Sequence, residues 1–191
     1  MQDNPKLFMV ILGATPKGRL TEQHDVFFGI GHSLAALVPQ MQTFWPEAEG
    51  KIHIDSWREV TSVNGYSIAV VAKNEKTEQP QLFFINLGGY KENELEEFHY
   101  KILAVADNMA EAVKQSKATT FYKHFGFKGA ESHVDDKYGI DVDDIHKVND
   151  ILAADLKQNY ALRIVPNANQ PEDRLHIGYV KIEKLLKTVT L

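Results

Sequence analysis

An internal duplication constrains the fold of this chain more than any other feature of its sequence. When the sequence is displaced by 75 residues, Leu7 to Val38 aligns with Leu82 to Val113 without a gap. Nine of the 32 aligned positions are identical, whereas roughly two identities are expected for chains of average composition. The chain is therefore predicted to contain two diverged copies of one unit. The identical pairs are Leu7/Leu82, Phe8/Phe83, Leu12/Leu87, Gly13/Gly88, Leu20/Leu95, Glu22/Glu97, His24/His99, Ala35/Ala110 and Val38/Val113.

Weaker similarity follows the gap-free segment. His53-Ile54-Asp55 aligns with His133-Val134-Asp135 after the register has drifted through small insertions. Insertions of that kind belong in loops. The alignment therefore predicts that His133 and Asp135 take the places of His53 and Asp55 in the second copy.

Each copy opens with two predicted strands. The runs Leu7 to Leu12 and Leu82 to Leu87 are apolar almost throughout, which is typical of a central strand buried on both faces. His24 to Ile30 and His99 to Val105 follow after a polar loop and are rich in β-branched and aromatic residues. These segments favour a second strand in each copy.

A helix is predicted next, because the apolar residues change to helical spacing. Ser33 is placed to cap it in the first copy, and Asn108 in the second copy, where Glu111 is placed to complete a capping box. Pro39 lies inside the first predicted helix and should make it kink or start late. The apolar stripe of the first helix consists of Leu34, Leu37, Val38, Met41 and Phe44.

Two further strands are predicted to close the unit as ββαββ. In the first copy they are Lys51 to Ser56 and Tyr66 to Val71, joined across Asn64-Gly65, a dipeptide typical of tight hairpin turns. In the second copy, Val142 to Leu156 has helical spacing. Tyr160 to Val165 and Leu175 to Ile182 are predicted as a C-terminal pair of strands.

The predicted fold class is α+β, with two diverged ββαββ repeats and a C-terminal pair of strands. The first repeat is expected over residues 6–72 and the second over residues 82–158. Residues 73–81 form a polar linker, and residues 159–191 carry the C-terminal strands, which are expected to pack on the repeats.

Composition excludes several classes of function. The net charge of −5 makes nucleic acid an unexpected partner, because a phosphate backbone is bound through an excess of positive charge. The absence of cysteine excludes disulfides and thiolate chemistry. Neither a signal-like N-terminus nor an apolar run of membrane-spanning length is present, so the sequence predicts a cytoplasmic protein without a membrane partner.

The two predicted strands of the first copy and its hairpin resemble a known family. The segments are Leu7 to Gly13, His24 to Phe28, His53 to Ser56 and Val63 to Tyr66. They resemble the bacterial family catalogued as domain of unknown function 1543, clearest over residues 7–71 and weaker from residue 82 to about residue 152. The resemblance implies a bacterial protein without an assigned activity, and it implies no catalytic residues.

Histidine and carboxylate pairs are the strongest candidate site. A spacing of two residues on a strand places both side chains on one face. His24 and His53 are predicted to lie on neighbouring strands, and His99 and His133 to repeat the arrangement. If these strands pair in register, two imidazoles and two carboxylates converge in each copy, which is a ligand set suited to zinc, iron or manganese. The alternative is that each pair is a hydrogen-bonded contact on the sheet. The pairs are Glu22 with His24, His53 with Asp55, Glu97 with His99, and His133 with Asp135.

Ser33 is a second candidate residue. Gly31-His32-Ser33 lies between a predicted strand and a predicted helix, as the serine of a nucleophile elbow does. The last glycine of that motif is missing, and Asn108 replaces Ser33 in the other copy. Helix capping explains both residues.

The sequence therefore predicts a non-enzymatic binding or interaction module with a cleft between its two repeats. Its expected partner is a small molecule or a protein, it needs no cofactor, and a homo-oligomer is compatible with the sequence. Two alternatives remain open. One is a metal-dependent enzyme that uses the histidine and carboxylate pairs, and the other is a serine hydrolase that uses Ser33.

Overall fold

The chain divides into two compact units. The structure is a computed structural model that describes residues 4–74, 80–90, 93–118 and 140–187, with the side chains of residues 140 and 141 outside the description. Unit 1 comprises residues 1–76 together with residues 152–191, and unit 2 comprises residues 77–151. Both units combine antiparallel sheets with a few short helices, which confirms the α+β class.

The described residues contain ten strands and five α-helices. The strands are β1 (Lys6–Ala14), β2 (Gln23–Gly31), β3 (His53–Glu59), β4 (Ser62–Val63), β5 (Tyr66–Ala72), β6 (Gln81–Tyr90), β7 (Glu97–Ala106), β8 (Ile140–Lys147), β9 (Tyr160–Pro166) and β10 (His176–Lys181). The α-helices are α1 (Val38–Phe44), α2 (Met109–Ser116), α3 (Val148–Ile151), α4 (Ala154–Asn159) and α5 (Ile182–Lys187). No helix in these ranges is both long enough and apolar enough to cross a membrane.

The first sheet of unit 1 has the strand order β10-β3-β1-β2. The apolar run of β1 therefore lies between two neighbours, as expected for a strand without a polar face. One face of this sheet packs on the helical segment after β2 and on α5. The core consists of Phe8, Val10, Leu12, Ala14, Phe27, Leu34, Leu37, Val38, Met41, Ala48, Ile52, Ile54 and Ile182.

The second sheet of unit 1 has the order β4-β5-β9. Asn64 and Gly65 both adopt positive φ, at 51° and 79°, which is the backbone of a type I′ turn and confirms the predicted hairpin turn. The strand that this turn joins to β5 is the two-residue β4, however, and not Lys51 to Ser56, which lies in the first sheet.

The helix of unit 1 starts late, as Pro39 predicts. A 3₁₀ turn occupies Ala35–Leu37, and α1 begins only at Val38, so that Pro39 falls within its first turn. Amides at that position have no intrahelical acceptor, so proline costs no hydrogen bond there. Gln40 on α1 then donates through Nε2 to the carbonyl of Ile30 at 3.0 Å, which ties the helix to β2.

Unit 2 has the strand order β7-β6-β8, with α2 following β7. Oδ1 of Asn108 accepts a hydrogen bond from the amide of Glu111 at 3.0 Å, and the Glu111 carboxylate accepts one from the amide of Asp107 at 3.2 Å. Gln115 donates to the carbonyl of Val105 at 2.9 Å. This bond repeats the one made by Gln40, since both donor and acceptor lie 75 residues further along the chain.

The helical reading of Val142 to Leu156 is wrong for its first part. Residues up to Lys147 form β8, and only short helices follow. The ladder with β6 shifts register between Asn86 and Leu87, which marks a bulge in β8 at Asp143. A bulge adds one residue to a strand, so Val142 and Ile145 face the same core although they are three residues apart. The three-residue spacing therefore resembled a helix.

The bulge also occurs in unit 1, at the same place relative to the central strand. Leu12 pairs with Ile54 on β3 while Ile11 pairs with Ser56, so Asp55 is the extra residue. Leu87 pairs with Val142 on β8 while Asn86 pairs with Asp144, so Asp143 is the extra residue. On the other side, Gly13 pairs with His24 and Gly88 pairs with His99.

The segment after α3 returns to unit 1. Residues 152–158, which the sequence assigned to the second repeat, group with unit 1, where α4 contacts β9. β9 pairs with β5, and β10 pairs with β3. The side chain of Asp173, 2% exposed, holds the connection between them, because it accepts hydrogen bonds from Thr61 and the amide of Ser62 and pairs with Arg58 at 3.1 Å.

Candidate functional site

Two histidines of unit 1 meet over a glycine. Gly13 on β1 pairs with His24 on β2 and with His53 on β3. The sequence predicted that the two histidines lie on neighbouring strands, but β1 separates their strands. Strands two places apart are about 10 Å from each other, so the imidazoles can approach only because residue 13 has no side chain. A Cβ at that position would lie 2.3 Å from Nε2 of His53.

Two carboxylates connect these imidazoles into a ring of four side chains, here called the unit 1 ring: Glu22, His24, His53 and Asp55. Nε2 of His53 lies 3.0 Å from Oε1 of Glu22 and 3.4 Å from Oδ1 of Asp55. Nε2 of His24 lies 3.5 Å from Oε2 of Glu22 and 3.2 Å from Oδ2 of Asp55. Each carboxylate therefore contacts both imidazoles. Asp55 lies two residues after His53 on β3, so the two side chains share a face.

The close contacts of the unit 1 ring are not all hydrogen bonds. His53 is only 8% exposed, and its buried Nε2 has no hydrogen-bond partner in the described residues, nor has the buried Oδ2 of Asp55. The N···O distances are short, but the direction that a hydrogen bond requires is missing. Buried polar atoms normally have a partner, so two such atoms side by side call for an explanation.

Tyr179 covers one face of the buried imidazole. Its ring centroid lies 4.5 Å from that of His53, with the planes tilted by 40°. β10 is irregular at this point, since Gly178 has a φ of 133° and the pairing with β3 shifts register between Ile177 and Val180. The irregularity lies opposite the bulge at Asp55, so both strands that flank the site depart from regular pairing there.

Unit 2 has a related but smaller cluster, here called the unit 2 cluster: Glu97, His99 and Asp143. One ligand atom from each residue lies within 4.8 Å of the others, and Nε2 of His99 is 3.2 Å from Oδ2 of Asp143. Gly88 leaves room for it, because a Cβ there would lie 2.4 Å from Oδ2 of Asp143.

The pKa of Tyr90 depends on the charge of the unit 2 cluster. It pairs with Glu97 across the β6–β7 ladder. Desolvation raises the pKa of its phenol, and so do the negative charge of Glu97, the hydrogen bond to that carboxylate, and the charge of Asp143. The neutral phenol is favoured because an ionised one would add a third negative charge to this place.

The sequence identified six of the seven residues in the two sets, as three pairs: Glu22 with His24, His53 with Asp55, and Glu97 with His99. It missed Asp143 itself. The predicted counterparts His133 and Asp135 lie outside the described residues. The structure instead places Asp143 where Asp55 lies in unit 1. An aliphatic residue followed by aspartate occurs at Ile54-Asp55 and Val142-Asp143 but also at Val134-Asp135, so this pattern alone could not identify Asp143.

Ser33 lies at the start of the helical segment of unit 1. Its Oγ accepts a hydrogen bond from the amide of Ala36 at 3.2 Å. A serine hydroxyl with this bond caps the first turn. The geometry therefore favours capping as the explanation of Ser33, and the bond satisfies an amide of the 3₁₀ turn.

Comparison with known proteins agrees with the fold. No curated protein matches the sequence. The crystal structure of protein Il1583 from Idiomarina loihiensis is 22% identical in sequence and has a TM-score of 0.62, over 92% of this chain and 96% of that chain. At this identity the likeness concerns the fold. Residues 19–70 match the family described as Domain of Unknown Function (DUF1543). The resemblance to that family is thereby confirmed, and the matching segment contains all four residues of the unit 1 ring.

Proposed function

We propose that the protein is a metal-binding module and that the unit 1 ring holds one divalent transition-metal ion. The observation that carries the proposal is the buried Nε2 of His53, which faces two carboxylates at 3.0 Å and 3.4 Å without forming a hydrogen bond. A bound cation gives this lone pair, and the buried Oδ2 of Asp55, the partner that each lacks.

The spacing of the donor atoms fits such an ion. Zinc binds imidazole nitrogen and carboxylate oxygen at about 2.0 to 2.2 Å, and two ligands at that distance and at a tetrahedral angle lie about 3.4 Å apart. The four N···O separations in the unit 1 ring run from 3.0 to 3.5 Å. Each contact has the length of a single ligand–ligand edge, although each carboxylate contacts His53 with one oxygen and His24 with the other. One ion would use one oxygen of each carboxylate.

The kind of donor atom restricts the metal. Two imidazoles suit zinc, iron, nickel and copper, whereas two carboxylates also suit manganese. With neutral imidazoles the unit 1 ring carries two negative charges and attracts a divalent cation. Glu22 and His24 have side chains that are 45% exposed, so water can reach one side of the bound ion, as at zinc sites with an open ligand position.

The competing explanation is a pair of protonated histidines held by salt bridges. Charged imidazolium groups would donate well-directed hydrogen bonds to the carboxylates. The missing hydrogen-bond direction at His53 favours the metal over this explanation.

Elemental analysis of untagged protein tests the proposal. The protein is analysed after reconstitution with zinc and gel filtration, next to the double variant His24→Ala/His53→Ala. The matched control is His32→Ala/His176→Ala, which removes the same number of histidines outside the unit 1 ring. We expect the first variant to lose one equivalent of zinc and the control to retain it. An unchanged zinc content in the first variant would overturn the proposal.

We also propose that the two units are diverged copies of a ββαββ unit. Support comes from the equal registers around Gly13 and Gly88, from the bulges at Asp55 and Asp143, and from the equivalent glutamine bonds of α1 and α2. The described residues of unit 2 supply three of the four strands, β6, β7 and β8, whereas β9, which follows in the chain, pairs with β5 in unit 1.

A further inference from the structure

The unit 2 cluster has no second histidine, whereas the unit 1 ring has two. The position opposite Gly13 on β3 is His53, and the position opposite Gly88 on β8 is Asp141. An imidazole of unit 1 thus corresponds to an aspartate of unit 2 in the register. The other three positions keep their donor types, since Glu97, His99 and Asp143 correspond to a glutamate, a histidine and an aspartate of the unit 1 ring.

We infer that unit 2 is a second cation site, held by Glu97, His99 and Asp143, and that its preference for zinc over manganese is weaker than that of unit 1. The inference rests on the metal-binding function proposed for unit 1. It goes beyond that function in assigning a second site and a different ligand chemistry.

The geometry of the unit 2 cluster supports a cation. Three ligand atoms lie within 4.8 Å of one another, and the closest measured pair, His99 Nε2 and Asp143 Oδ2, is separated by 3.2 Å. Oδ2 of Asp143 also lies 3.5 Å from Nδ2 of Asn86, whose buried Oδ1 accepts no hydrogen bond within the described residues. An unsatisfied amide oxygen on a side chain that contacts a carboxylate is a place where a hard cation or its bound water is stabilised.

The chemistry of the donors sets the metal preference. Imidazole nitrogen favours zinc, whereas carboxylate oxygen and water suit manganese and magnesium. The unit 2 cluster has one imidazole among three ligand residues, whereas the unit 1 ring has two imidazoles among four. The equivalent histidines are similarly exposed, since the side chain of His99 is 39% exposed and that of His24 is 45% exposed. A site with fewer protein ligands leaves more positions for water. Zinc still binds more tightly in absolute terms, so the measurable quantity is the ratio of the two affinities.

The test uses the full chain with unit 1 disabled. In the His24→Ala/His53→Ala background, free Mn²⁺ is measured by electron paramagnetic resonance during titration, and Zn²⁺ is measured by competition against the bound Mn²⁺. We expect one Mn²⁺ site, whose affinity falls more than about tenfold when Asp143→Asn is added. The matched control is Asp144→Asn, which removes the adjacent carboxylate and should leave Mn²⁺ binding unchanged. Circular dichroism and urea unfolding show whether each variant is folded.

The outcomes separate the two proposals. Mn²⁺ binding that is absent in the background, or that Asp143→Asn leaves unchanged while the protein is folded, overturns the unit 2 site whatever unit 1 does. Zinc that stays bound in the His24→Ala/His53→Ala background at wild-type stoichiometry overturns the unit 1 function instead. A ratio of zinc to manganese affinity that is as large in unit 2 as in unit 1 overturns the inferred difference in preference.

A single substitution in unit 1 tests whether the second imidazole sets the preference for zinc over manganese. His53→Asp gives unit 1 the residue type that the register places opposite Gly88 in unit 2. We expect its zinc affinity to fall at least tenfold more than its manganese affinity. Equal losses for both metals would overturn the inference that the second imidazole sets the preference.

Discussion

The substitution Gly13→Ala tests whether the space over residue 13 is what brings the two imidazoles together. A Cβ there would lie 2.3 Å from Nε2 of His53 and 2.8 Å from Oδ2 of Asp55, whereas ordinary contact begins at 3.4 Å. The imidazole therefore has to move by 3.4 − 2.3 = 1.1 Å. Metal–ligand distances tolerate about 0.2 Å, so His53 is lost as a ligand.

The expected magnitudes follow from this displacement. Zinc affinity should fall at least about 100-fold, which is about 2.8 kcal/mol, because the loss of an outer-shell partner alone costs about 10- to 100-fold. Overpacking costs about 1 to 3 kcal/mol of stability, and alanine in a strand recovers about 0.5 to 1 kcal/mol relative to glycine. The variant should therefore remain folded.

Zinc affinity is measured by competition with a chromophoric chelator, and stability is measured by urea denaturation. The matched control is Gly31→Ala on β2, where a Cβ would lie 2.8 Å from Cδ2 of Leu37 and away from the unit 1 ring. This control should lose stability but keep its zinc affinity. Wild-type zinc affinity in Gly13→Ala would refute the reasoning, and an equal loss in the control would show a general disturbance of the sheet.

Two further predictions concern unit 2. Asn108→Ala should lower the free energy of unfolding by about 1 kcal/mol, because the cap on the Glu111 amide is lost. Urea denaturation checks this, and an unchanged transition would contradict it. Glu97→Gln should lower the pKa of Tyr90 towards its ordinary value, because a negative charge and a charged hydrogen-bond acceptor both disappear. The absorbance of the phenolate during an alkaline titration measures that pKa, and an equal pKa in both proteins argues against the contact.

Several elements of the fold were readable in the sequence because local chemistry determines them. The apolar runs of β1 and β6, the late start of α1 at Pro39 and the turn at Asn64-Gly65 each depend on a few neighbouring residues. The strand predicted to precede that turn was wrong, because β3 pairs with β1 and the turn joins β5 to the two-residue β4. β8 was mistaken for a helix because a bulge gives a strand a three-residue apolar spacing.

The sequence predicted most of the residues of the candidate site, but not how the strands bring them together. The pairs Glu22 with His24 and His53 with Asp55 were found from their two-residue spacing. The sequence did not predict that the imidazoles of His24 and His53 meet across β1, because this contact depends on the absence of a side chain at Gly13. Asp143 was missed because the alignment matched His53-Ile54-Asp55 to His133-Val134-Asp135 through its histidine, whereas the residue opposite Gly88 is Asp141 and offers no histidine to align.

The discontinuity of unit 1 has a consequence for the order in which the protein is made. Unit 2 is one continuous segment, whereas unit 1 needs residues beyond 151. β9, the carboxylate of Asp173 and Tyr179 are all contributed by that returning segment. Domains fold as units during synthesis, the earlier part of a chain first. Here the sheet that begins the chain is completed by residues translated after unit 2, so the aromatic cover of His53 is among the last parts of unit 1 to leave the ribosome.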